Sequence, residues 1–199
     1  MKYKLKEGNK NLLILIGEDH LSFETDMSVL YIYDFDWNRY LSPWPSDRIF
    51  KKGDYFEGKA DELIRMILDL NIIQKYDHSY IAGYSLAGLF SLYFCTRTNL
   101  FEGCISCSGS LWYPNFYSWL KEHPLNCRYV YLSLGNQEKK SRNPILSQVQ
   151  KWTEKTYLFL SQTHICKYEM SSGNHFSDVD ERIRKGITWM NKVGVDQYE

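Results

Sequence analysis

Apolar residues in this chain fall in short runs, separated by stretches whose apolar positions recur every three or four residues. Residues 11–17 (NLLILIG) and 28–35 (SVLYIYDF) have the length and continuity of buried strands. Ala60, Leu63, Ile64, Ile67 and Leu70 follow at helical spacing, with Asp61 and Glu62 in the first turn, where the helix dipole favours acids. Residues 77–82 predict a short strand, and residues 86–94 an apolar, core-packed helix. Small residues over 103–108 and the run RYVYLSLG over 128–135 predict two further strands. Asn143-Pro144 reads as a cap with proline at the first helical position, and Ile145, Val149, Trp152, Thr156, Tyr157 and Leu160 continue that helix. A last strand over 165–170 leads through a glycine-containing loop to a closing helix. Ser177 would cap that helix, with Val179, Ile183, Ile187 and Met190 facing inward. This alternation predicts an α/β fold, a compact and mostly parallel sheet with helices on both faces.

Two segments stand outside the alternation. Residues 36–56 carry Trp37, Tyr40, Trp44, Phe50, Tyr55 and Phe56, and residues 111–120 carry Trp112, Tyr113, Phe116, Tyr117 and Trp119. Such aromatic loops at a sheet's carboxyl edge either line a pocket or close the end of the core. With 199 residues and no repeat, low-complexity tract or linker, the chain is expected to form one domain over 1–199. Its 24 basic and 24 acidic residues cancel, which gives no reason to expect nucleic acid or an anionic membrane surface as partner. No apolar run nears the roughly 20 residues needed to span a bilayer. Nor does the N-terminus resemble a signal peptide, since residues 12–16 are too few for its apolar core. Five cysteines, an odd number without disulfide-like spacing, point to a reducing cytoplasm. Cys104-Ile105-Ser106-Cys107 matches C-x-x-C but lies within a strand-like run rather than at a helix start, so buried packing is the expected role.

Gly83-Tyr84-Ser85-Leu86-Ala87-Gly88 joins the predicted strand and helix on either side of Ser85. A serine on so sharp a corner presents its hydroxyl outward with helix N–H groups behind it. The turn needs almost no side chain two residues either side of the serine, and Gly83 and Ala87 meet that need. A serine hydroxyl also needs a base, and the base an orienting acid. Of His20, His78, His123, His164 and His175, only His175 follows the last strand and precedes the last helix. The acid should follow the preceding strand, where Leu134-Gly135-Asn136-Gln137-Glu138 offers Glu138 as its first carboxylate. Glu138 is preferred to Asn136, whose amide would stabilise an imidazolium less. Asp178 and Asp180 read as helix N-terminal charges. Leu86 N–H is the natural first oxyanion donor, and Glu18, after the first strand, is assigned the second by topology. Tyr84, Trp37, Trp44 and Trp112 are candidates for substrate contact. Lys139, Lys140 and Arg142 read either as a solvated loop or as a bias toward an anionic ester.

Taken together, the elbow, Trp37-Asn38-Arg39-Tyr40-Leu41-Ser42-Pro43-Trp44, the Gly135–Glu138 segment and Gly173-Asn174-His175-Phe176 resemble one branch of the α/β-hydrolase superfamily. That branch includes siderophore esterases, feruloyl and other carbohydrate-ester esterases and S-formylglutathione hydrolase-like enzymes. The resemblance runs from about Leu12 to Met190 and implies ester or thioester hydrolysis through an acyl-serine, without metal or organic cofactor. The substrate would be a small-molecule ester; oligomeric state is not legible. Members often carry aspartate where this chain has Asn136, and its shortness implies that opening strands and a cap domain are missing. Two other readings remain open, an acyltransferase using the same acyl-enzyme and a non-catalytic binding module on the same fold.

Overall fold

The computed structural model describes residues 1–49 and 53–195, so Phe50, one of the loop aromatics, lies outside the described residues. A seven-stranded sheet organises them: β1 (Lys2–Lys6), β2 (Asn11–Ile16), β3 (Ser28–Tyr33), β4 (His78–Tyr84), β5 (Gly103–Cys107), β6 (Tyr129–Gly135) and β7 (Ile165–Ser171). Their spatial order is β1-β3-β2-β4-β5-β6-β7, and every pairing is parallel except β1 with β3. The helices are α1 (Trp37–Tyr40), α2 (Ala60–Leu68), α3 (Leu86–Arg97), α4 (Phe116–Glu122), α5 (Val149–Leu160) and α6 (Val179–Val195).

Each strand feeds two cores, because successive side chains point to opposite faces. In β2, Leu12, Ile14 and Ile16 enter the core beneath α2 and α3, while Leu13 and Leu15 enter the one beneath α6. Burial on both faces explains why the central strands read as unbroken apolar runs. Helix α3 is buried almost all round, from Leu86 to Cys95. Helix α6 instead buries one stripe that includes Ile183, Ile187 and Met190.

The sequence expectations need three corrections. Residues 2–6, which carried no expected element, form the antiparallel edge strand β1. Its lysines stay exposed, as suits an edge that must not recruit another chain. The helix expected from Pro144 starts at Val149; Asn143 Oδ1 accepts from Ile145 and Leu146 N–H instead, and a short 3-10 turn follows. Ser177 does not cap α6: its hydroxyl accepts from Asn174 N–H at 3.1 Å and so braces the preceding loop.

Cys104 and Cys107 confirm why spacing alone misleads. Three residues apart on β5, they fall in opposite cores, and all five cysteines are free thiols. Burial pushes the Cys107 thiol up to about 12, the reverse of a reactive thiolate. Among the described residues no helix is long and apolar enough to cross a membrane.

Candidate active site

Ser85 joins β4 to α3 with φ 56° and ψ −121°, a left-handed conformation that L-residues adopt only where the surroundings enforce it. The corner is held by Ser85 N–H donating to the Cys107 carbonyl (3.0 Å), while the Ser85 carbonyl accepts from Ser110 N–H (3.0 Å). Gly83 is obligatory there: a Cβ would run into the backbone of Ala87. Leu86 and Ala87 open α3, and the first N–H groups of a helix have no intrahelical acceptor.

The β7–α6 loop brings His175 over this corner. His175 Nε2 lies 3.0 Å from Ser85 Oγ, and His175 Nδ1 lies 2.8 Å from Glu138 Oε2. Glu138 stands on the loop after β6 with its side chain only 3% exposed. Its other oxygen, Oε1, accepts from Ser108 Oγ (2.7 Å), Gly135 N–H (2.7 Å) and Arg182 Nη1 (2.9 Å). Burial by itself would raise the Glu138 carboxyl, but the hydrogen bonds from His175, Ser108 and Gly135 outweigh it and hold the group below its ordinary value. Asn136 makes no such contact with the histidine. Its N–H donates to the Ser171 carbonyl (2.9 Å) and its Oδ1 accepts from Gly173 N–H (3.2 Å), which ties the two loops together.

No protein-family profile matches the sequence, and no curated protein matches it. Solved structures do. A siderophore hydrolase, EstA from Aspergillus nidulans, is 19% identical over 94% of this chain and 84% of its own, with a TM-score of 0.61. Est1E from Butyrivibrio proteoclasticus is 12% identical over 96% of this chain and 94% of its own (TM-score 0.58), and has also been solved with ferulic acid bound. MenH from S. aureus is 14% identical over 96% and 98%, with a TM-score of 0.60. This is the α/β-hydrolase fold. At such identities the likeness carries the architecture and leaves the chemistry to be argued from this chain's own side chains.

On this hydrolase fold two chambers open beside Ser85. The larger, about 660 Å³, has walls from Ile49, Trp112, Leu146, Val149, Phe176 and Lys140 and includes His175. The smaller, about 180 Å³, is bounded by Trp37, Asn38, Asp54, Phe56 and Leu86. Ile49, Ser85, Ser110 and Trp112 belong to both. Trp37 and Trp112 therefore line these chambers, whereas Trp44 and Tyr84, the other two candidates for substrate contact, line neither. Trp44 is absorbed into a ring cluster with Tyr113 (5.8 Å between centroids), Trp119 (5.5 Å) and Phe116 (6.4 Å), and its Nε1 donates to the Pro114 carbonyl. Tyr84 is buried behind the histidine loop, donating to the His175 carbonyl at 2.7 Å, and burial pushes its phenol up to about 12. Glu18 follows β2 one strand away from the elbow, since Ile16 pairs with Gly83. It lines neither chamber, and burial followed by the nearby Asp180 charge raises its carboxyl.

The remaining histidines sit elsewhere: His20 beside Asp19, His78 beside Glu102, His123 stacked on Trp119 and His164 against Leu160 and Leu125 carbonyls. What the sequence reading missed is Arg182. Its guanidinium, wholly buried, donates from Nη1 to Glu138, Ser108 (2.7 Å) and Tyr84 (2.9 Å), and from Nη2 to the Asn174 (2.9 Å) and Ser172 (3.3 Å) carbonyls. One side chain thus joins the acid loop, the serine after β5 and the histidine loop. Gly135 leaves room for it, because a Cβ there would stand 2.6 Å from Arg182 Nη2. The signal was available: Arg182 falls on the apolar stripe of α6, next to Ile183, where a charge needs a buried partner.

Proposed function

We propose that this chain is a serine hydrolase that cleaves a small carboxylic ester or thioester through an acyl-serine intermediate. The observation that carries this reading is the hydrogen-bonded run from Ser85 Oγ through His175 to Glu138, facing two chambers. As Ser85 Oγ attacks the substrate carbonyl carbon, His175 Nε2 takes its proton. Glu138, ionised throughout, fixes the imidazole tautomer and stabilises the imidazolium. The negative charge gathering on the carbonyl oxygen is received by Leu86 N–H at the start of α3, with Glu18 N–H proposed as the second donor. Collapse breaks the bond to the leaving group, whose oxygen or sulfur takes the proton from His175. Water, deprotonated by His175, then attacks the acyl-serine, releasing the acid and restoring Ser85.

The test is a fluorophosphonate probe and p-nitrophenyl acetate. Expected are one label per chain at Ser85 and ester turnover, both abolished in a folded Ser85→Ala variant, with turnover reduced by up to ~10⁶-fold. Absence of labelling, or turnover in Ser85→Ala close to that of the parent, overturns the reading.

A further inference from the structure

Resting on the hydrolase reading above, we infer that the two chambers divide the ester unequally. The small chamber takes a short acyl group; the large one takes an alcohol with an apolar body and an anionic substituent that meets Lys140.

The orientation follows from where the proton must go. His175 Nε2 protonates the departing oxygen, so the alcohol half of the ester lies on the histidine side of Ser85. The large chamber contains His175 with its neighbours Asn174 and Phe176. The carbonyl oxygen turns toward Leu86 N–H, and Leu86 belongs to the small chamber, which includes no residue of the histidine loop. The acyl substituent is therefore directed into about 180 Å³.

Charge separates the chambers in the same sense. Lys140 stands on the large-chamber wall, and no ion pair or hydrogen bond engages its ammonium among the described residues. Lys139 and Arg142 beside it are exposed and likewise carry no acidic partner there, so the field at this rim is positive. Among that chamber's described walls the one acid, Glu138, is already engaged by His175 and Arg182. The small chamber includes Asp54 among its described walls and does not include Lys140. The same chamber's walls include Trp112, Leu146, Val149 and Phe176, which suits an apolar or aromatic spacer. Phe176, 86% exposed beside His175, is the side chain such a spacer would cover.

Three matched ester pairs test this, two with the charge on the alcohol and one with it on the acyl group. The alcohol-side pairs are 4-acetoxybenzoate and 3-(4-acetoxyphenyl)propanoate, each against its methyl ester. The acyl-side pair is mono-4-nitrophenyl succinate against 4-nitrophenyl butyrate. The readout is the anionic-to-neutral ratio of kcat/KM in the parent and in Lys140→Gln and Lys140→Glu, which cancels intrinsic leaving-group reactivity. Expected is a fall of about three- to fivefold in the alcohol-side ratio for Lys140→Gln, for at least one spacer length, and a larger fall for Lys140→Glu. The acyl-side ratio should not move, and p-nitrophenyl decanoate should be turned over at least ~10-fold less efficiently than the acetate. An unmoved alcohol-side ratio at both lengths, an acyl-side ratio that falls instead, or decanoate matching acetate overturns the assignment. If Ser85 is labelled by the phosphonate while these ratios fail, only this inference falls. If no ester is cleaved and no label is taken up, the hydrolase reading falls with it.

Discussion

Around Glu138 and His175 the chain is held by a network of directional polar bonds, whereas around Trp44 and Trp112 ring faces and edges make most of the contacts, beside the Trp44 Nε1 bond to the Pro114 carbonyl and the Tyr113 hydroxyl bond to the Trp44 carbonyl. In the first region a buried carboxylate and a buried guanidinium pair and fix two loops through hydrogen bonds of 2.7–2.9 Å. In the second, Trp44, Tyr113, Trp119 and Phe56 meet at centroid separations of 5.2–5.8 Å, the Trp44 pairs tilted and Phe56–Tyr113 edge-on. Directional bonds fix a proton-transfer geometry to within tenths of an ångström. Apolar contacts tolerate exchange of one shape for another. The atoms proposed to react therefore sit where directional bonds meet, while Phe56 and Trp112 carry the aromatic region to the chamber walls.

The widest separation between the regions should appear in rate. Glu138→Gln should cost up to ~10⁴-fold in kcat, because the imidazole loses the acceptor that sets its tautomer. Asn136→Ala, which removes only a bond between loops, should cost far less. Steady-state assays of both on p-nitrophenyl acetate decide it, and a larger loss for Asn136→Ala would move the acid's role to that residue.

Arg182→Met tests whether the polar region stands on one residue. Removing the cation leaves the Glu138 carboxylate and the Asn174 and Ser172 carbonyls without their buried donor. That should destabilise the protein by ~3–5 kcal/mol in denaturant titration. An unchanged midpoint would mean that the loops are held by other contacts.

Smaller effects are expected in the aromatic region, and they should divide between its two tryptophans. Trp44→Ala should lower stability by up to ~3 kcal/mol without altering preference among acetyl, butyryl and aryl esters, since its ring serves the core. Trp112→Ala should alter that preference, because its ring borders both chambers. Thermal midpoints measured beside the ester panel distinguish these outcomes. Altered preference in Trp44→Ala with an unchanged midpoint would reverse the assignment.

Acid provides the finest test. Glu138 sits below its ordinary value in the folded protein, so its contribution to stability is full above the unfolded value, about 4.3. That contribution is lost as pH falls through the lower, folded value. Stability measured from pH 5 downward should fall less steeply in Glu138→Gln than in the parent. Identical slopes would mean that the carboxyl gains nothing from its hydrogen bonds.

Much of this molecule could be read from local pattern. Strand runs such as 11–16 and the helical stripe of Ala60, Leu63, Ile64 and Ile67 follow from periodicity, because burial on a strand or helix face is set by residues a few positions apart. The elbow at Ser85 was legible for a similar reason: Gly83 and Ala87 answer a steric demand within five residues. Edge strand β1 was not, since alternating lysines become a strand only when β3 supplies the partner hydrogen bonds. Trp44 and Trp112 are chemically identical in sequence, and only the placement of α4 and the loop after β5 decided which ring entered the core and which faced a chamber. Arg182 is the clearest case. Its partners come from Tyr84, Ser108, Glu138 and the loop before α6, positions as far as 98 residues away. A buried charge takes its meaning from the groups that surround it in space, and those groups meet only once the sheet has brought the ends of β4, β5, β6 and β7 side by side.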